Sequence, residues 1–168
     1  SFLNEGNLIP PYDLDETLIR LEKIIKKYKP KKLISLGDSF HENKSIKYIS
    51  ESHINLLNNL LQNIEVTWIE GNHDSNLLLK ENILGDFKNY HKLKSFKFIH
   101  SKSKISSKKT FEFSGHFHPK ISIKFNGLKY SYKCFILTDN FCILPSFGTF
   151  TGGLDIKSKE FVKILPEK

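Results

Sequence analysis

The sequence predicts an α/β fold: a sandwich of two packed β-sheets with helices outside. Three observations carry that expectation. Helix-period and strand-period segments alternate as far as Leu84, and from Phe96 onward short apolar runs broken by turn signals take over. Each of the first two apolar strand runs also stops at a glycine, Gly37 and Gly71, where an α/β sheet presents its functional loops.

Taken in order, residues 1–12, with Gly6, Pro10 and Pro11, read as a loop. Asp13 with Glu16 three positions on is a capping-box-like start. Leu14, Leu18, Leu21, Ile24, Ile25 and Tyr28 then recur at helical spacing until Pro30 ends the run. A short strand is expected over 32–36 and a second helix over about 46–63, with Ile49, Ile54, Leu57, Leu60 and Leu61 inward. The next strand runs over 64–69. Further strands are expected over 96–99, 111–113, 121–125, 130–137 and 141–144, with Asn126-Gly127 and Asp139-Asn140 as hairpin turns. The lysine-rich stretch 102–109 reads as a loop.

The 168 residues are read as a single domain spanning 1–168, large enough to bury a core without disulfides. No apolar run is long enough to span a bilayer and no signal-peptide pattern opens the chain, so a cytoplasmic protein without membrane contact is expected. Cys134 and Cys142 fall in neighbouring expected strands and are read as reduced thiols. The formal charge of +8 invites a nucleic-acid reading, but the basic residues are almost all lysine in a chain also rich in Ile and Asn, which fits a compositional bias across the sequence as much as a binding face. Arg20 is the sole arginine, so bidentate phosphate clamping is nearly absent and anion recognition falls to metals, lysines and histidines.

The chemistry concentrates in three glycine-led segments that follow apolar runs: Gly37-Asp38, Gly71-Asn72-His73-Asp74 and Gly115-His116-Phe117-His118. Singly, each has a plainer reading as a turn or a surface strand end. In this order, and each after a strand, they form the pattern of a two-metal phosphoesterase site. A carboxylate such as Asp38 can bridge two divalent cations about 3.5–4 Å apart. Asn72 offers an amide oxygen, and His116 and His118, two apart on an expected strand end, share one face. Carboxylate and imidazole donors favour Mn, Fe or Zn over calcium without choosing among the three; Mn is taken as the expected ion. His73 is placed to protonate a leaving alkoxide, with Asp74 to orient it.

On these motifs the chain resembles the calcineurin-like metallophosphoesterases. The resemblance implies two mixed β-sheets flanked by helices, and a site with two divalent metals. It implies Asp38 as the bridging carboxylate, Asn72, His100 and His116 as the other ligands of the second metal, His118 as a first-metal ligand and His73 as proton donor. His100 is assigned from its position between motifs. A narrower similarity runs through Ile9-Pro10-Pro11, Gly37-Asp38-Ser39-Phe40-His41 and the segment from Leu144-Pro145-Ser146-Phe147 to Gly152-Gly153-Leu154-Asp155. These resemble the ligase-associated metallophosphoesterases, bacterial proteins described as DNA damage response endonucleases and encoded near a DNA ligase and helicase. That resemblance implies a phosphodiesterase acting on nucleic acid in DNA repair, with a functional link to those partners. The superfamily's opening Asp-x-His motif does not precede Gly37-Asp38, and the chain has no methionine. A domain missing its first strand is therefore expected, with one competent metal site of the family's two and weak hydrolysis. The rival readings are a small-molecule or lipid-headgroup phosphodiesterase, and a non-catalytic remnant or DNA-binding scaffold.

Overall fold

The computed structural model describes residues 13–40, 49–72, 81–103, 109–149 and 151–164. The expected loop at 1–12, the start of the expected second helix at 46–48, His41, His73, Asp74, Phe150 and residues 104–108 of the lysine-rich stretch lie outside them.

Helix α1 (Asp13–Tyr28) turns Leu14, Leu18, Leu21 and Ile25 toward the first sheet. Lys26 and Lys27 in its last turn suit the negative end of the helix dipole. The helix stops where Lys29 adopts a left-handed backbone (φ 44°) and its N–H donates to the Ile25 carbonyl at 2.8 Å, just before Pro30. Strands β1 (Lys32–Ser35), β2 (Glu65–Ile69) and β3 (Asp86–Lys88) form a parallel sheet in the order β1-β2-β3. Helix α2 (Glu51–Leu61) starts later than the expected residue 46, because Ser50 caps it. The Ser50 hydroxyl accepts from the His53 N–H at 3.4 Å, and residues 49 and 50 are not helical. Leu18, Leu57, Leu61, Val66, Trp68 and Ile83 form the core between these helices and this sheet.

The second sheet is mixed. Its order is β4-β5-β6-β10-β9, from β4 (Tyr90–Leu93), β5 (Phe96–Ile99), β6 (Phe111–Ser114), β9 (Ile136–Leu137) and β10 (Phe141–Ile143). The central pairs β5–β6 and β6–β10 are parallel and the flanking pairs antiparallel. Strands β7 (Lys120–Phe125) and β8 (Leu128–Lys133) form a separate antiparallel hairpin. Phe141, Ile143 and Phe161, the last from the short helix α3 (Lys159–Val162), centre a second core. No helix among the described residues is long and apolar enough to cross a membrane.

The expected strand over 130–137 is two strands. At Cys134 and Phe135 the chain leaves β7 and joins β10, and the Cys134 N–H donates instead to the Pro119 carbonyl at 3.0 Å. Cys134 therefore lies outside the ladder that holds Cys142. Both thiols are free, and burial raises both above the ordinary thiol range, with Asp155 adding to the effect at Cys134.

Candidate metal centre

Four chain segments meet at the C-terminal ends of β1, β2, β5 and β6. Parallel pairing of β1 with β2 brings Gly37-Asp38 beside Gly71-Asn72. Gly37 has φ 90° and lies so close to the His100 ring that a Cβ there would overlap it. At Gly71 a Cβ would run into the Asp38 carboxylate and backbone nitrogen. His100 follows β5 directly, and its carbonyl accepts from the Gly115 N–H at 3.0 Å, which ties the two histidine segments together.

Asp38, His100 and His116 are the group of metal-ligand side chains among the described residues, their donor atoms all within 4.8 Å of one another. His100 Nε2 stands 3.2 Å from Asp38 Oδ2 and 2.9 Å from His116 Nδ1. Side-chain exposure is 6% for His100 and 9% for Asp38. His100 Nδ1 donates to the Leu36 carbonyl at 2.7 Å, which assigns the proton to Nδ1 and turns the Nε2 lone pair toward the cluster. A lone pair facing a carboxylate oxygen is repulsive unless a cation, either a second proton or a metal, sits between them. Ligand atoms about 2.1 Å from one ion stand about 3.0–3.4 Å apart at octahedral or tetrahedral angles, close to the two spacings from His100. This donor set fits a first-row divalent cation.

The backbone is committed to the same purpose. Asp38 (φ 50°), His116 (φ 59°) and His118 (φ 44°) all occupy the left-handed region. For residues with a Cβ that costs on the order of 1–3 kcal/mol each, so the surrounding packing has to hold them there. Contrary to the expectation from the sequence, His116 and His118 do not lie on a strand end. β6 stops at Ser114, and the chain then turns tightly, with the Phe117 N–H donating to the Gly115 carbonyl at 2.7 Å. The turn sends His116 into the cluster with Asp38 and His100, a group that does not include His118.

The Gly-rich C-terminal run braces that turn. The Leu154 N–H donates to the Phe117 carbonyl at 3.2 Å and the Lys120 N–H to the Leu154 carbonyl at 3.0 Å. Gly153 lies so close to the His118 carbonyl that no Cβ fits there. Asn72 is exposed, one residue beyond the Gly71 that packs on Asp38. His73 and Asp74 lie outside the described residues. Sequence reasoning missed two supports of the site. One is the Leu36 carbonyl, which carries no side-chain signal. The other is buried Glu112, which binds the Ser103 N–H (2.7 Å) and hydroxyl (2.6 Å) and Lys97 (3.2 Å), and so clamps the segment leaving His100. An acidic residue inside the apolar 111–113 run was the available clue to Glu112.

A family model of calcineurin-like phosphoesterases matches residues 11–148. Among solved structures, the crystal structure of a Pseudomonas putida nuclease, MPE, is similar with a TM-score of 0.67 and 25% sequence identity, over 87% of this chain and 72% of that one. No curated protein matches the chain.

Proposed function

The chain belongs to the calcineurin-like phosphoesterase family, and on that footing we propose that it is a metal-dependent phosphodiesterase acting on nucleic acid. The observation that carries the proposal is the meeting of Asp38, His100 and His116, with the His100 tautomer held by Leu36. Support for nucleic acid as substrate comes from the similarity to a nuclease and from the +8 formal charge. The finer placement, a ligase-associated enzyme of DNA repair using Mn, rests on the motif resemblance.

In this reading Asp38, Asn72, His100 and His116 hold one cation well, while Asp38 and His118 contribute to a second, weaker position. A divalent cation bound there supplies Lewis-acid polarisation of the phosphoryl group and makes water more acidic. The chain's own groups do the rest. Asp38 is oriented by the close approach of Gly71, and His100 is oriented by Leu36 and by the Glu112 clamp. His73 gives its proton to the departing ester oxygen, and Asp74 steers that imidazole.

The test is cleavage of single-stranded DNA by the Mn-reconstituted chain, run beside bis(p-nitrophenyl) phosphate. Cleavage that EDTA stops and His116→Ala abolishes supports the proposal. Hydrolysis of the small diester alone would move the substrate to small molecules or lipid headgroups. Absence of both would leave a metal-binding remnant.

A further inference from the structure

The hairpin β7–β8 sorts its side chains onto two faces with strict alternation. Cross-strand pairs Ile121–Tyr132, Ile123–Tyr130 and Phe125–Leu128 share one face, and Lys120–Lys133, Ser122–Ser131 and Lys124–Lys129 share the other. An apolar face of this kind normally packs on a core. Here it is open to solvent: Phe125 is 65% exposed, Leu128 61% and Tyr132 55%. A contiguous exposed apolar and aromatic face marks an interaction surface.

Charge selects the occupant. Residues 120–133 include four lysines and no acidic residue. Lys157 adds its ammonium to the polar side, on the Ser122 carbonyl at 3.4 Å. The neighbouring acid, Asp155, is engaged by the Lys157 N–H at 2.9 Å. Two copies of such a ribbon would bring like charges together, whereas a polyanion is attracted. Aromatic stacking surfaces combined with lysines bind unpaired bases joined by phosphates, and here the lysines have to reach round from the opposite face. The strands of the ribbon lie about 4.8 Å apart, so lysine stems on the polar face reach its edges.

β7 begins at Lys120, two residues after His118, and its base is pinned by hydrogen bonds between Lys120 and the run that braces the metal turn. The tip, Asn126 (φ 48°) and Gly127 (φ 76°), is a tight turn at the far end. The ribbon thus leads directly out of the metal loop.

We propose that the β7–β8 ribbon is a docking surface for an unpaired stretch of nucleic acid, with bases on Phe125, Tyr130 and Tyr132 and phosphates met by Lys124, Lys129 and Lys157. This rests on the nucleic-acid reading above and adds where the strand outside the metal centre is held.

The experiment uses the full, Mn-reconstituted chain and a short fluorescent phosphorothioate oligothymidylate, which resists hydrolysis, with binding read by anisotropy across a salt series. The paired change Tyr130→Ser with Tyr132→Ser should weaken binding by about tenfold or more. Lys124→Gln with Lys129→Gln should reduce the slope of log K against log salt by roughly 0.7 per lysine. Both variants should keep the wild-type metal content, and the tyrosine pair should lower the melting temperature by only the few degrees that lost cross-strand contacts cost. Wild-type binding in both variants overturns the proposal. So does a wild-type dimer that the tyrosine changes split, or preferential binding to anionic vesicles that oligothymidylate does not displace. Because the probe is not cleaved, the two readings fail separately. Weakened binding in an inactive protein would sink the hydrolase reading alone, and DNA cleavage with unchanged binding would sink the ribbon alone.

Discussion

At the residue scale, the site depends on two glycines whose missing side chains leave room for chemistry. Gly71 shows it most clearly, because any Cβ would meet Asp38. Gly71→Ala should therefore displace that carboxylate and lower Mn affinity by about 10–100-fold, as loss of a ligand's positioning does elsewhere. Crowding should also cost about 1–3 kcal/mol of stability. Both are readable by Mn titration and thermal melting. Unchanged affinity would mean that Asp38 does not touch the cation. Gly37, Gly71 and Gly115 were legible in the sequence because each stands after an apolar run. The left-handed backbone of Asp38, His116 and His118 was not, since residues with a Cβ give no local sign of positive φ. The role of His100 came only from its place between motifs. Its defining partner, the Leu36 carbonyl, lies 64 positions away and has no side-chain signature.

Among the elements, those with long periodic patterns read correctly and short or shared ones did not. α1 was legible because four turns of apolar spacing end at a proline. The apolar spacing extends α2 too far at its start, because the Ser50 cap lies inside the periodic run. That cap is testable. Ser50→Ala should cost about 1 kcal/mol, a drop of roughly 2–4 °C in melting temperature for a chain this size, with Mn binding retained. A larger loss would point to the contacts of His53 with Ser50 and Asp15, which join α2 to α1. Strands β3 and β4 escaped notice because they are short and most of their side chains are exposed, so neither shows apolar alternation. The break at Cys134 and Phe135 was invisible for a different reason: the chain changes pairing partner there without a glycine or proline to mark it.

For the whole molecule, two sheets of different character converge on one set of strand ends. The parallel sheet delivers Asp38 and Gly71, and the parallel centre of the mixed sheet delivers His100 and His116. Neither sheet holds the cluster alone, so the fold itself brings the candidate ligands together. The α/β class was legible from the alternation in the first half. The pairing of β10 with β6 was not, because long-range parallel neighbours leave no mark in a local window. The most direct test of this account is Mn(II) titration of the metal-free chain, with spin-echo spectroscopy to read the nuclei around the bound ion. One tightly bound Mn coupled to imidazole nitrogen is expected, with both affinity and coupling reduced in His116→Ala. Mn held equally well by His116→Ala, or held without imidazole coupling, would contradict it.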